Sequence, residues 1–289
     1  MTPLRQQLIQ ELVLRGMSVR TQEAYIHQVY HLAKYYRQSP DLLSDQQVRA
    51  YLFYLTTERK LSASTINQAV NAFRFLYQKV LHRDVEALCR ALPHPRKEIR
   101  RPQVFSIQEL ERLFTIGCPH PRHRAFLMTV YGGGLRLNEA CHLKFEHLDR
   151  ARNQIRIVQG NGKKDRYTLF PLRLQEELDS YWRAFRPRFW LFPASRDPQQ
   201  PMIDATAKRV FYHAVALAGV PRKGGIHSLR HSFATHLVEM RVEIPVVQRL
   251  LGHSHISTTM GYMHVRQERL AQIQGPLQLL DLSGLSGPL

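Results

Sequence analysis

The chain has 289 residues, enough for two ordinary domains, and an excess of basic side chains, 41 Lys+Arg against 23 Asp+Glu, that attracts polyanions. The excess divides almost evenly, +8 before Gln103 and +10 from it onward, so it is no detachable tail and both halves are expected to touch the polyanion. Three unpaired cysteines, Cys89, Cys118 and Cys141, and no eighteen-residue apolar run argue against a disulfide framework, a cysteine zinc site, a secretory leader and a membrane span, and so for a reduced cytoplasmic setting.

In chain order, a first helix precedes Gly16. Tyr25/Ile26, Val29, Leu32/Ala33 and Tyr36 recur at helical spacing and predict a second. Ser44-Asp45-Gln46-Gln47 is a capping-box pattern ahead of Val48, Tyr51, Leu52 and Leu55, and the Ser62 to Thr65 start precedes Ile66, Val70, Phe73, Tyr77 and Val80. Four helices without a central polar constellation suggest a binding module spanning 1–84. Prolines and basic residues from Leu92 predict an extended linker, placed at 85–105. A second capping box, Ser106 to Glu109, opens a larger unit over 106–282. There the pattern predicts a helix over about Pro121 to Tyr131, a glycine break, a helix from Leu137, and then a hairpin. Its strands, "NQIRIVQ" and "DRYTLF", flank Gly160-Asn161-Gly162. Helices follow, and 283–289 reads as a frayed tail. The expected fold is mainly α, a small helical bundle plus an α+β unit with one hairpin.

Four segments hold unusual polar residues: "GGGLRLNEA", "GNGKKDR", "HSLRH" and "LGHSHISTTMGY". Each alone has a bland reading, an arginine as a helix cap or a histidine on an exposed helical face. Together and in this order they resemble the tyrosine recombinase (phage integrase) family, particularly its Xer-like and integron-integrase branches. The resemblance spans nearly the whole chain. It lies in Gly134-Leu135-Arg136-Leu137-Asn138-Glu139, in His227-Ser228-Leu229-Arg230-His231, and in Leu251-Gly252-His253 followed nine residues later by Tyr262. The helical N-terminal unit looks like the family's core-binding DNA domain.

The resemblance implies a metal-free and ATP-free DNA breaking and rejoining enzyme that works through a 3′-phosphotyrosyl bond. Planar guanidinium groups suit the non-bridging oxygens of a phosphodiester, which makes Arg136 and Arg230 the phosphate clamp. His227 and His253 can donate to the same oxygens or move a proton, Tyr262 supplies the attacking oxygen, and Glu139 has a supporting role, orienting Arg136 or a neighbouring helix. His231 reads as a helix-face histidine or a support. The family's hairpin has a lysine as general acid where this chain has Asn161, whose amide has no proton to release. Lys163 is expected to replace it, with Lys164 in reserve. Metal ligation by His227/His231 or His253/His255 is the rival, but Ser228 stands where a zinc protease would carry its glutamate.

The expected partner is double-stranded DNA in a nucleoid-associated cytoplasmic setting, with a homotetramer on synapsed sites and a monomer in solution left open. The Gln267 to Leu282 segment is the candidate for exchange between neighbours. Type IB topoisomerase-like relaxation and a catalytically weak DNA-binding relative are the alternatives.

Overall fold

The structure, a computed structural model, describes residues 2–83, 103–158 and 165–253. The chain divides into two units, Met1–Arg100 and Arg101–Leu289. Residue 84 of the expected binding module, residues 85–102 of the expected linker, the Gly160-Asn161-Gly162 turn with Lys163 and Lys164, Tyr262, the Gln267 to Leu282 segment and the tail lie outside the described residues.

Serine caps set the starts of three helices in the first unit. Helix α1 (Pro3–Leu14) begins with proline at its first position; α2 (Val19–Tyr36) and α4 (Ala63–Phe75) start at Ser18 and Ser62, whose hydroxyls accept the N–H of Thr21 and Thr65. Before α3 (Asp45–Thr57), Ser44 and Gln47 complete the capping box with both reciprocal hydrogen bonds. Their apolar stripes meet in a core around Leu8, Leu12, Leu32, Val48, Leu52, Ile66 and Phe73. The run expected to continue as one helix through Val80 changes to a π turn over Leu76–Val80, which buries the consecutive Leu76 and Tyr77. Tyr77 donates its hydroxyl to the Pro40 carbonyl at 2.8 Å, and burial pushes that hydroxyl's pKa well above the ordinary tyrosine value.

The second unit contains α5 (Ile107–Thr115), α6 (Pro121–Gly132) and the short α7 (Leu137–Cys141), then strands β1 (Leu148–Asp149), β2 (Gln154–Ile157) and β3 (Arg166–Leu169). Helices α8 (Leu172–Phe185), α9 (Asp204–Leu217), α10 (His227–Glu239) and α11 (Ile244–Leu251) complete it. The expected mainly helical class with a small sheet is what forms, but the sheet has three strands, ordered β1-β2-β3 and antiparallel throughout, not two. A two-residue β1 is too short to announce itself by alternation. Ile157 faces Arg166 across the β2–β3 ladder, and Ile155, Ile157, Arg166 and Thr168 turn inward.

Helix α10 is buried on nearly every side, which makes it the unit's central element. Phe105, assigned to the linker from sequence, is fully buried and its N–H donates to Ser232 Oγ of α10 at 2.8 Å. Phe233, Leu237 and Val238 pack against Ile244, Val247 and Leu251 of α11. Cys118 and Cys141 are buried, and burial pushes both thiols up to about 12, so they stay protonated. Among the described residues, no helix is long and apolar enough to cross a membrane.

Candidate active site

The glycines after α6 make a turn whose second position, Gly134, has no room for a side chain. Gly134 has φ +59°, and a Cβ there would lie 2.3 Å from the Phe233 ring. The turn is tied to the sheet by Thr168 Oγ1, which donates to the Gly133 carbonyl at 2.8 Å. It delivers Arg136 to the start of α7. There the Arg136 N–H donates to Glu139 Oε2 and its Nη1 to Oε1, both at 2.8 Å.

Two further guanidinium groups converge on the same place. Arg230, 4% exposed on α10, donates Nη1 to the Gly134 carbonyl and Nη2 to the Leu251 carbonyl, each at 2.6 Å. Its Nη1 lies 3.8 Å from Glu139 Oε2. Arg166, the first residue of β3, forks onto Glu139 with both Nη atoms at 2.7 Å and donates Nε to the Leu250 carbonyl at 3.0 Å. Arg136 Nη2 completes the set on the Gly252 carbonyl at 3.1 Å.

The last carbonyls of a helix have no partner within it and carry the negative end of its dipole. At the end of α11 the three arginines occupy three successive ones, those of Leu250, Leu251 and Gly252. Gly252 turns the chain out of the helix at φ +62°. A Cβ on it would lie 2.6 Å from Arg166 Cδ, so the glycine also makes room for that arginine. The following His253 is held by its main chain, its N–H donating to the Gln248 carbonyl and its carbonyl accepting from Gln248 Nε2.

The electrostatics follow from this packing. Burial alone would raise the Glu139 carboxyl, but the hydrogen bonds and charge of Arg166, reinforced by Arg136, hold it down at about 2. Three arginines therefore share one carboxylate. His227 is shifted down by burial and then by Arg230 and Arg136; His231 by burial, then His227 and Arg230. Burial, followed by Arg230, Arg136 and His231, brings His253 down to about 4. The shifts all favour the neutral imidazole, in which one ring nitrogen carries a proton and the other a lone pair.

The structure thus gathers Arg136, Glu139, His227, Arg230, His231 and His253 into one charged neighbourhood, while Lys163, Lys164 and Tyr262 lie outside the described residues. His231, read as a helix-face histidine or a support, is half-buried and adds to the shift on His253. Arg166 received no role from the sequence. Its only signal there is its place at the end of "GNGKKDR". Among the described residues no three His, Cys, Asp or Glu side chains converge as metal ligands would.

Comparison with known proteins follows the same outline. Residues 103–269 match the phage integrase family and residues 4–87 the phage integrase N-terminal SAM-like domain. The chain is 37% identical over 282 residues to y4qK of Sinorhizobium fredii, a protein with an integrase/recombinase designation, covering 97% of this chain and 90% of that one. It is 32% identical over 277 residues to the tyrosine recombinase XerA of Thermococcus kodakarensis, covering 93% of each. Its fold superposes on the XerH site-specific recombinase bound to a palindromic difH substrate in a post-cleavage complex, with a TM-score of 0.73 and 20% identity over 89% of this chain and 80% of that one.

Proposed function

From the premise that the chain belongs to the phage integrase family of tyrosine recombinases, we propose that it cuts and rejoins double-stranded DNA at specific sites by passing a phosphodiester to Tyr262 and back. The observation that carries this reading is the charge imbalance. Three guanidinium groups packed around one carboxylate, beside histidines kept neutral, leave a positive excess in a partly dehydrated site. Such an excess is costly unless an anion is bound, and a DNA phosphate is the anion the family handles.

In this scheme Arg136 and Arg230 receive the two non-bridging oxygens of the scissile phosphate. The Tyr262 oxygen attacks phosphorus in line, a neutral His227 or His253 takes the phenolic proton, and the bond to the 5′ oxygen breaks. A 3′-phosphotyrosyl bond and a free 5′-hydroxyl result, so the reverse attack by another 5′-hydroxyl reseals the strand without an added energy source. One tyrosine cuts one strand, so exchange between two duplexes uses four protomers.

The departing 5′ oxygen needs a proton, which we assign to Lys163, with Lys164 in reserve, because the amide of Asn161 has none to release. Lys163→Ala is accordingly expected to slow cleavage by roughly a hundredfold or more, with a 5′-thiol leaving group, which needs no proton, restoring the rate. Loss of activity in Lys164→Ala alone would pass the role to Lys164.

The decisive experiment traps the intermediate. Nicked suicide duplexes from the protein's own locus are incubated with it, denatured and resolved, and a DNA-linked band absent from Tyr262→Phe is expected. Binding to the same duplexes with no band would favour the second reading, a DNA-binding relative without strand cleavage, which the Asn161 substitution supports.

A further inference from the structure

We propose that Arg166 is a positioning residue for strand cleavage, acting as the counter-ion that occupies Glu139 so that Arg136 and Arg230 keep their charge for the phosphate. This rests on the function proposed above. Three observations carry it. Arg166 takes both carboxylate oxygens of Glu139 in a parallel fork, whereas Arg136 reaches only one of them with its side chain. Both side chains of that fork are over nine-tenths buried, while Arg136 is a quarter exposed and so able to meet a ligand. The Nε of Arg166 also fixes the Leu250 carbonyl, one residue before the carbonyl that Arg230 holds, so one guanidinium ties β3, α7 and the end of α11 together.

Without Arg166, the carboxylate would turn to the guanidinium groups within its reach, Arg136 at 2.8 Å and Arg230 at 3.8 Å. Their charge would then be partly spent inside the protein. The end of α11 would also lose one of its three anchors, and the backbone of His253 follows directly from it.

The test is single-turnover cleavage of a nicked duplex by the full chain. Arg166→Gln is expected to lower the rate roughly a hundredfold, the scale of a small misplacement in a pre-set site, with duplex affinity changed by no more than about threefold. Arg166→Lys, which keeps the charge but cannot make the fork, is expected to remain impaired. A purely structural role would leave the deficit indifferent to the charge of the substrate. Replacing one non-bridging oxygen of the scissile phosphate by methyl removes the charge that the clamp meets, and on that substrate the Arg166→Gln deficit should shrink at least about tenfold. Should Arg166→Gln fail to fold because a buried carboxylate is left unpaired, Arg166→Lys, which leaves a positive charge beside Glu139, serves in its place. Near-normal cleavage of the ordinary substrate by these variants, or an equal deficit on charged and uncharged substrates, would overturn the role of Arg166. A wild-type protein that binds DNA yet forms no Tyr262 adduct would instead overturn the reading of function beneath it.

Discussion

Exchanging Arg230 for glutamine is expected to cut the single-turnover cleavage rate by roughly a thousandfold while leaving duplex binding nearly intact. The size follows from where the side chain sits. At 4% exposure its charge is poorly screened, so a phosphate brought beside it is stabilised far more than by a surface arginine. With 41 Lys+Arg against 23 Asp+Glu, affinity for a polyanion is expected to draw on many charges and should barely register the change. There is a structural cost as well. The carbonyls of Gly134 and Leu251 lose a charged donor, and an orphaned buried carbonyl costs about 1–3 kcal/mol, so melting has to be measured alongside. A folded Arg230→Gln protein that cleaves within about tenfold of the wild-type rate would remove this residue from the phosphate clamp.

Gly134→Ala is expected to be the most damaging small substitution in the second unit. Two costs are independent of each other. The residue sits at φ +59°, where a Cβ costs about 1–2 kcal/mol, and that Cβ would fall 2.3 Å from the Phe233 ring of the central helix, an overlap worth roughly another 1–3 kcal/mol. Movement of Gly134 also displaces the carbonyl on which Arg230 rests and the start of α7, so cleavage should fall with stability. Denaturant unfolding of Gly134→Ala and of Gly134→Ala/Phe233→Leu checks this. The second change should recover part of the loss by relieving the overlap and none of the backbone strain. A loss under about 1 kcal/mol for the single variant would mean the ring moves aside freely.

The contrast between what could and could not be read in the sequence follows interaction range. Ser44 with Gln47 and Ser106 with Glu109 announce helix starts because both partners lie within one turn, and both capping boxes form. Gly134 was visible as part of a motif, but its reason is a phenylalanine almost a hundred residues away. Arg166 is the sharper case. It stood in a segment already singled out, yet its meaning depends on a carboxylate 27 positions back and a carbonyl 84 positions ahead, and neither separation has a period. The π turn after Phe75 was equally silent, since a single wide turn leaves the preceding helical spacing undisturbed.

Every described member of the charged cluster, from Arg136 to His253, belongs to the second of the two units. The charged cluster and the SAM-like module are thus written in separable stretches of the chain. In evolution or in the laboratory, the helical module can be varied while the arginine network is inherited whole.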